Sequence, residues 1–424
     1  MVRLAHNKNL TEHKAIETAA APQRAYVPLS QHVGKACNPE VKAGDDVLIG
    51  QRIASVEAKV YAPIHSPVSG KVVSIEDWPH PVLGRCKAII IENDSSNRKV
   101  EMPARAPEDS HQLTAEEIRK IVFASGIVGQ GGAAFPSHIK LDPPKPVDSL
   151  IINGAECEPY LTGDYRLMLE RTENILRGIE LIARCLGVKD VYIAIEDDKP
   201  QAVEKFKIKN AKFKIKVLRP EYPQGGEKQL IKSVLGREVP AGKLPLDAGA
   251  CVHNVGTALA VYEAVYLGKP LYERVVTVTG SCLSSPKNLL ARVGTPIKDL
   301  IDSCGPLKKE PAKIITGGPM MGIAQFSDNV PLIKSTTGIL LLAEEEVKEV
   351  EELFCIRCGA CVRECPAKLL PTSINLAAQK QLWQEAKLYG ASDCIECGVC
   401  SYVCPSNINL VQSIRRAKWE VARL

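Results

Sequence analysis

A chain of 424 residues has length for roughly two to four domains, and its 45% hydrophobic and 24% charged content is that of an ordinary globular protein. The formal charge of +5 is small for this length, and no arginine-rich block or basic stripe with interleaved aromatics accompanies it, which excludes nucleic acid as the partner class. Met1 to Asn9 holds no apolar signal core, and no apolar run approaches the roughly 18 to 20 residues that cross a bilayer.

Residues from about 26 to 100 read as short strands joined by tight turns, as in Val41 to Gln51 and Ala62 to Ile75. This part resembles the barrel-sandwich domains of biotinyl and lipoyl carriers. Lys59 stands nearest to a carrier's modified lysine, but the methionine that flanks a biotin lysine is absent, so a structural role is expected. Residues 97 to 115, rich in Pro, Asp, Glu and Ser, predict a linker. Thr114 and Glu117 then form a capping box that starts a helix through Ile118 and Val122.

That helix leads into Gly126 to Lys140, where Gly129, Gly131 and Gly132 let main-chain N–H groups approach a phosphate or a flat ring, because no Cβ intervenes. Ser149 to Tyr160 is a buried-type strand that ends in a polar, acidic turn. Helix, strand and helix follow at 174 to 186, 190 to 196 and 199 to 209. This alternation predicts a mostly parallel α/β sheet, whose ligands sit beyond the carboxyl ends of the strands. Asn153, Glu156 and Glu158 fall at that position.

Beyond Glu273, the strand at 275 to 279, a helix at 297 to 304 and the strand Lys313 to Thr316 before Gly317-Gly318 form a smaller unit. Glu344 to Glu352 is expected to be a solvated helix leading onward.

The last part holds two copies of C-x2-C-x2-C-x3-C-P, at Cys355, Cys358, Cys361, Cys365 and at Cys394, Cys397, Cys400, Cys404. This is the bacterial ferredoxin run, in which three close cysteines wrap one [4Fe-4S] cluster and the fourth crosses to the other. Cys355, Cys358, Cys361 and Cys404 are therefore expected to hold one cluster, and Cys394, Cys397, Cys400 and Cys365 the second. Gly359 and Gly398 permit the tight curl. The remaining seven of the 15 cysteines are scattered, as suits free thiols in a reducing compartment. Thr372 or Ser373 is expected to cap a helix through Leu382 and Trp383 to Gly390. A final helix places Leu410, Ile414, Ala417, Val421 and Leu424 on one face, expected mainly to pack on its own domain.

Gly129 to Lys140 and Asn153 to Pro159 resemble the G-R-G-G-A-G-F-P and N-A-D-E-x-E-P motifs of the flavin-carrying, NADH-oxidising subunit of respiratory complex I. Gln224 to Lys228 and His253 to Thr257 resemble its C-G-E-E and N-N-V-E-T blocks. Gln130, Ala134, Ala155, Cys157 and Gly256 depart from that pattern. With the sandwich, Tyr222 to Gln229, Ile315 to Gly322 and the double cysteine run, the chain is most similar to the RnfC subunits of the Rnf family of ion-translocating ferredoxin:NAD oxidoreductases.

The resemblance implies a multidomain α/β and α+β protein: a barrel-sandwich hybrid domain with an extended arm (1–105), a Rossmann-like FMN/NADH domain (106–268), a β-grasp domain of the soluble-ligand-binding type (269–345) and a double [4Fe-4S] ferredoxin-like domain (346–424). It implies FMN near Gly129, Gly131 and Gly132 with polar contacts from Asn153, Asn254 and Thr257. It further implies Phe135 stacking on NAD(H), Glu156, Glu158 and Glu227 at ribose hydroxyls or the flavin edge, and Lys140 balancing phosphate charge. His138 and His253 are expected to be local hydrogen-bonding residues, and the β-grasp unit to pack between flavin and cluster domains. The implied partners are integral membrane and iron–sulfur subunits of the same complex, with ferredoxin reached indirectly, and the implied place is peripheral, on the cytoplasmic side of the membrane. Two alternatives stand beside it: a soluble flavin and iron–sulfur cobalamin reductase, and a non-enzymatic two-cluster wiring subunit.

Overall fold

A computed structural model describes residues 1–101, 103–105, 112–209, 212–347 and 350–424. The expected linker and the boundary at 106 fall partly on residues 102 and 106–111, and the expected acidic helix includes residues 348–349, all outside the described residues.

The first unit is two facing sheets. One runs Arg24–Pro28, Gly84–Asn93, Gly70–His80, Asp46–Val47, and the other Asn38–Pro39, Arg52–Ser55, Ile64–His65. Alternating residues of both, among them Val27, Ile53, Ile64, Val72, Ile89 and Ile91, are fully buried between them. Gly70 sits at φ +151, and a Cβ there would meet the Glu92 carbonyl at 1.9 Å, so the open end of the long hairpin, where Gly70 pairs with Asn93, requires a glycine. Lys59 lies in an exposed bend.

The second unit is a parallel sheet in the order Lys214–Leu218, Asp190–Glu196, Ser149–Gly154, Ala250–Asn254. Leu150, Ile151 and Ile152 are fully buried, as a strand covered on both faces requires. Helices Thr172–Leu186 and Val255–Leu267 pack closely because Gly178 has no side chain: a Cβ there would lie 1.9 Å from the Ala258 carbonyl. The capping box at Thr114 forms and starts the helix Ala115–Ala124. A helix Gly163–Glu170, which periodicity did not reveal, lies just after the acidic turn.

The third unit is a mixed sheet in the order Ile16–Thr18, Lys287–Arg292, Glu273–Thr279, Gly338–Leu342, Lys313–Thr316, Ile323–Ala324. Its edge strand comes from the N-terminal arm and pairs in parallel with Lys287–Arg292. The arm continues across the second unit. Val2 bridges Tyr222, Lys8 donates to the Glu156 carbonyl, and Thr11 Oγ1 meets Thr162 Oγ1 at 2.7 Å.

The fourth unit is helical, and the structure corrects four expectations there and at its start. The helix expected up to Gly390 is two, Pro371–Gln379 and Trp383–Leu388, because Gln381 takes φ 57 and breaks the chain between them. The first begins at Pro371, whose fixed φ and missing N–H suit a first helical position, and neither Thr372 nor Ser373 caps it. On the helix Leu410–Val421, Leu410, Ile414, Ala417 and Val421 pack into the unit's own core, whereas Leu424 is exposed. In place of the acidic helix, Glu344–Glu346 forms one 3-10 turn, and residues 350 to 359 run without regular structure. No helix among the described residues is long and apolar enough to cross a membrane.

Candidate flavin cleft and cysteine centres

Asn153 and Asn254 are register partners at the carboxyl ends of adjacent strands, where the order of the parallel sheet reverses. Chains leaving such strands diverge to opposite faces and open a crevice between them. Asn153 Nδ2 donates to the Gly225 carbonyl at 2.9 Å, and its Oδ1 accepts from the Ala155 N–H at 3.1 Å. Asn254 caps the helix Val255–Leu267, its Oδ1 accepting from the Gly256 N–H at 2.7 Å. Its Nδ2 donates to Asp164 Oδ2.

The glycine-rich turn folds over this crevice. The Gly129 N–H donates to the Phe135 carbonyl at 2.8 Å, and the Gln130 N–H donates to Thr257 Oγ1 at 3.0 Å. Gly131 lies against Asn254, where a Cβ would come to 3.6 Å from Asn254 Cβ. Gly132 is exposed at φ +107 with open space before it. Phe135 is half-buried at the end of the turn.

The charged residues take specific partners. Lys140 Nζ donates to Glu227 Oε1 at 2.7 Å and to the Val252 carbonyl at 2.6 Å, so its charge is balanced within the protein. Glu156 turns its carboxylate onto the N-terminus of the helix Gly163–Glu170, accepting from the N–H groups of Asp164 (2.6 Å) and Tyr165 (3.1 Å). Glu158 accepts from the N–H groups of Met320 (2.7 Å) and Met321 (3.0 Å), in the Gly317–Gly322 turn of the β-grasp unit. Burial raises the Glu158 carboxyl above its ordinary value in spite of those amides. His138 Nδ1 and His253 Nε2 are buried without a hydrogen-bond partner, and burial lowers both imidazoles, so neither is the local hydrogen-bonding residue expected at those atoms.

The structure thus brings Gly129, Gly131, Gly132, Phe135, Asn153, Asn254 and Thr257 around one crevice, with Lys140 and Glu227 paired at its side. The two acidic residues of the turn face helix and loop amides. Asp164, Tyr222 and Arg274 are residues that sequence reasoning missed. Tyr222 opens a block that the resemblance already marked, though without a role, and nothing in local pattern marks the other two, because each acts through contacts 90 or more residues away, Asp164 with Asn254 and Arg274 with Gln130.

The two cysteine runs adopt one backbone form. Gly359 and Gly398 take φ 72 and 76, while Arg357 and Glu396, at equivalent places, take φ 55 and 58. Cys365, Cys394, Cys397 and Cys400 line one cavity, closed by Pro366, Leu369, Val411 and Ile414. Cys365 therefore faces the other run's three cysteines. Burial raises the thiols of Cys397 and Cys400 to about 11 and about 12, and Cys365 is among the groups acting on both. Cys404 in turn acts on Cys361 across the first run. Among the described residues no three His, Cys, Asp or Glu side chains could hold a single metal ion. Thiolates on one zinc stand only about 3.8 Å apart, given bonds of about 2.3 Å, whereas a cubane spreads its ligands around a body of its own. The cavity's four cysteines supply the four thiolates that a [4Fe-4S] cluster takes.

The second run abuts the crevice. Tyr222 is 2% exposed and packs with Cys397 and Val399, and Cys157, Met320 and Ile395 lie against them. A Cβ on Gly398 would meet the Met320 carbonyl at 2.8 Å. The β-grasp turn is thus wedged between the crevice and the second run. The first run lies outward, with Cys355 and Cys358 exposed and Phe354 96% exposed.

The crevice suits FMN, with glycine backbone for a ring or phosphate, two side-chain amides and a helix N-terminus at one rim. Fold and site define a flavin and iron–sulfur electron carrier. Four family models match in order: the RnfC barrel sandwich hybrid domain over residues 2–96, the Nuo51 FMN-binding domain over 122–263, the SLBB domain over 275–324 and a 4Fe-4S dicluster domain over 354–408. The chain is 48% identical over 420 residues to the C-type subunit of the proton-translocating ferredoxin:NAD(+) oxidoreductase complex of Clostridium ljungdahlii, covering 98% of this chain and 92% of that one. It is 42% identical to the Na(+)-translocating counterpart of Acetobacterium woodii (98% and 95% covered) and 44% identical to the counterpart in the ion-translocating oxidoreductase complex of Rhodobacter capsulatus (98% and 81%). The chain belongs to this family, the RnfC subunits of the Rnf-type complexes. A solved NAD+-reducing [NiFe]-hydrogenase shares the fold over 76% of this chain and 68% of its own, with TM-score 0.50 and 17% identity.

Proposed function

We propose that the chain is the NADH-oxidising, NAD-reducing subunit of a membrane-bound, ion-translocating ferredoxin:NAD oxidoreductase. FMN supplies the conversion between hydride transfer and single electrons that a nicotinamide and a [4Fe-4S] cluster cannot make between themselves. In this reading the backbone at Gly129, Gly131 and Gly132 and the amides of Asn153 and Asn254 bind FMN. Phe135 stacks on the nicotinamide nucleotide, and Thr257 fixes the turn through the Gln130 N–H. The Lys140–Glu227 pair supplies one neutral, polar wall, which favours hydroxyls over a second phosphate. Glu156 and Glu158 shape the site by holding helix and loop amides.

The observation that carries the reading is the contact between the crevice and the second cysteine run at Tyr222 and Cys397. It supports an order in which the cluster of Cys365, Cys394, Cys397 and Cys400 stands next to the flavin, and the cluster of Cys355, Cys358, Cys361 and Cys404 faces a partner. That partner is an iron–sulfur or integral membrane subunit of the same complex, with the chain peripheral on the cytoplasmic side and ferredoxin reached through it.

The test is anaerobic purification. About one FMN and two [4Fe-4S] clusters per chain are expected, and NADH should bleach both chromophores. Clusters without flavin, or flavin that NADH does not reduce, would reject the reading, and rapid cobalamin reduction would favour the soluble reductase instead.

A further inference from the structure

Arg274 belongs to the β-grasp strand Glu273–Thr279, yet its guanidinium reaches into the flavin unit. It is 5% exposed; Nε donates to the Val275 carbonyl at 3.2 Å, Nη1 to the Lys334 carbonyl and Nη2 to the Gln130 carbonyl at 3.3 Å. Since the Gln130 N–H is held by Thr257, the glycine-rich turn is clamped on both sides of one residue.

The opposite charge that acts on Arg274 is on another element. Asp164 lies in the first turn of the helix Gly163–Glu170, and its Oδ2 accepts from Asn254 Nδ2 at 2.5 Å. Asn254 Oδ1 is taken by the Gly256 N–H, which fixes the amide's orientation. Asp164 is half-buried. Four groups face it from four elements: Glu156 from the acidic turn, Asn254 from the helix cap, Arg274 from the β-grasp strand and Lys8 from the N-terminal arm. Behind Lys8 stand Glu196, Asp198 and Lys199.

We infer that Asp164 is a positioning residue for the flavin: it orients the Asn254 amide and sets the charge behind the cofactor, with Arg274 as its fixed counter-charge. This rests on the FMN reading above. The arrangement puts two carboxylates, Asp164 and Glu156, at one helix N-terminus against one buried guanidinium. Burial first, and Glu156 second, raise Asp164 to about 7, while Asn254, Arg274 and Lys8 oppose the rise. The proton on Asp164 is therefore gained and lost near neutrality. Ionised, Asp164 opposes the arrival of electrons on a flavin beside Asn254, and protonated, it does not.

The test compares FMN-loaded wild type with Asp164→Asn, the full chain in each case, by redox titration of the flavin at about pH 6 and about pH 8, on either side of the raised value. The flavin's own protonation is common to both proteins and cancels in the difference. At the higher pH the variant's midpoint potential should lie above wild type, and at the lower pH the two should coincide. Equal potentials at both values, or a shift independent of pH, would overturn the inference while leaving the flavin reading intact. Failure of the wild type to bind FMN would overturn both. Asp164→Ser, smaller and neutral, gives the same comparison if the asparagine variant does not fold.

Discussion

The Tyr222 hydroxyl donates to the Cys397 carbonyl at 2.9 Å and also meets the Glu158 carboxyl, so one side chain joins the flavin unit, the β-grasp turn and the second cysteine run. Burial raises the phenol far above its ordinary value, which keeps it a donor at any working pH.

Tyr222→Phe should keep the packing and lose this tie. A buried carbonyl left unpaired costs about 1–3 kcal/mol, and here the cost falls on docking between units. Hydrogen exchange should quicken in residues 220–223 and 395–399 and stay unchanged in residues 355–361. Exchange identical to wild type across both segments would show that the contact contributes nothing to docking.

Cys365→Ala should remove the cluster of the other run. Cys365 lines the cavity with Cys394, Cys397 and Cys400, and its own run's three cysteines stand elsewhere. Iron should fall from about eight to about four atoms per chain, and the surviving signal should match that of Cys397→Ala. Cys404→Ala should match Cys358→Ala instead. If Cys365→Ala resembled Cys358→Ala, ligation would follow each run separately.

Much of this arrangement was legible in local pattern, and the limits are physical. Cysteine spacing and the residue after the second cysteine describe a curl of a few residues, so both runs could be read directly. Apolar runs such as Leu150 to Ile152 fix a buried parallel strand, and its acidic end marks the crevice. What spacing does not carry is the far partner of a polar side chain. Glu156 and Glu158 read as ligands, but one meets a helix and the other a loop more than 160 residues away. The break at Gln381 escaped as well, because Leu382 and Trp383 keep the apolar pattern through it.

Gly318→Ala should uncouple the cluster unit from the flavin unit. A Cβ at Gly318 would fall 2.1 Å from Glu158 Cγ, so the turn or the Glu158 side chain has to move, which disturbs the bonds from Met320 and Met321. Overpacking of this kind costs about 1–3 kcal/mol. Reduction of the clusters by NADH should slow, while chemical reduction by dithionite stays at the wild-type rate. Gly132→Ala differs: nothing lies within 4 Å, and only the strain of φ +107 opposes it. It should weaken FMN binding without slowing the clusters' chemical reduction.

Lys334 makes stability depend on pH at the junction of three units. It is 1% exposed, and its Nζ donates to the Pro63 carbonyl at 3.0 Å in the sandwich and to the Gly126 carbonyl at 2.7 Å in the flavin unit. Desolvation lowers its pKa to about 7, with Cys37 acting weakly the other way. The folded chain therefore loses this proton near pH 7, while the unfolded chain keeps it to about 10.4. Between those values the unfolded state binds more protons, so stability rises with pH, by up to about 1.4 kcal/mol per unit. Below about 7 both states carry the proton and the slope from this residue disappears. His65, beside it and lowered to about 3 chiefly by burial, adds a rise of the same sign between about 3 and 6.5. Lys334→Met has no such proton, so the gap in urea midpoint between wild type and variant should widen in favour of wild type from about pH 7 to about pH 9. A gap that stayed constant would mean that Lys334 remains charged inside the fold, stabilised by the two carbonyls alone.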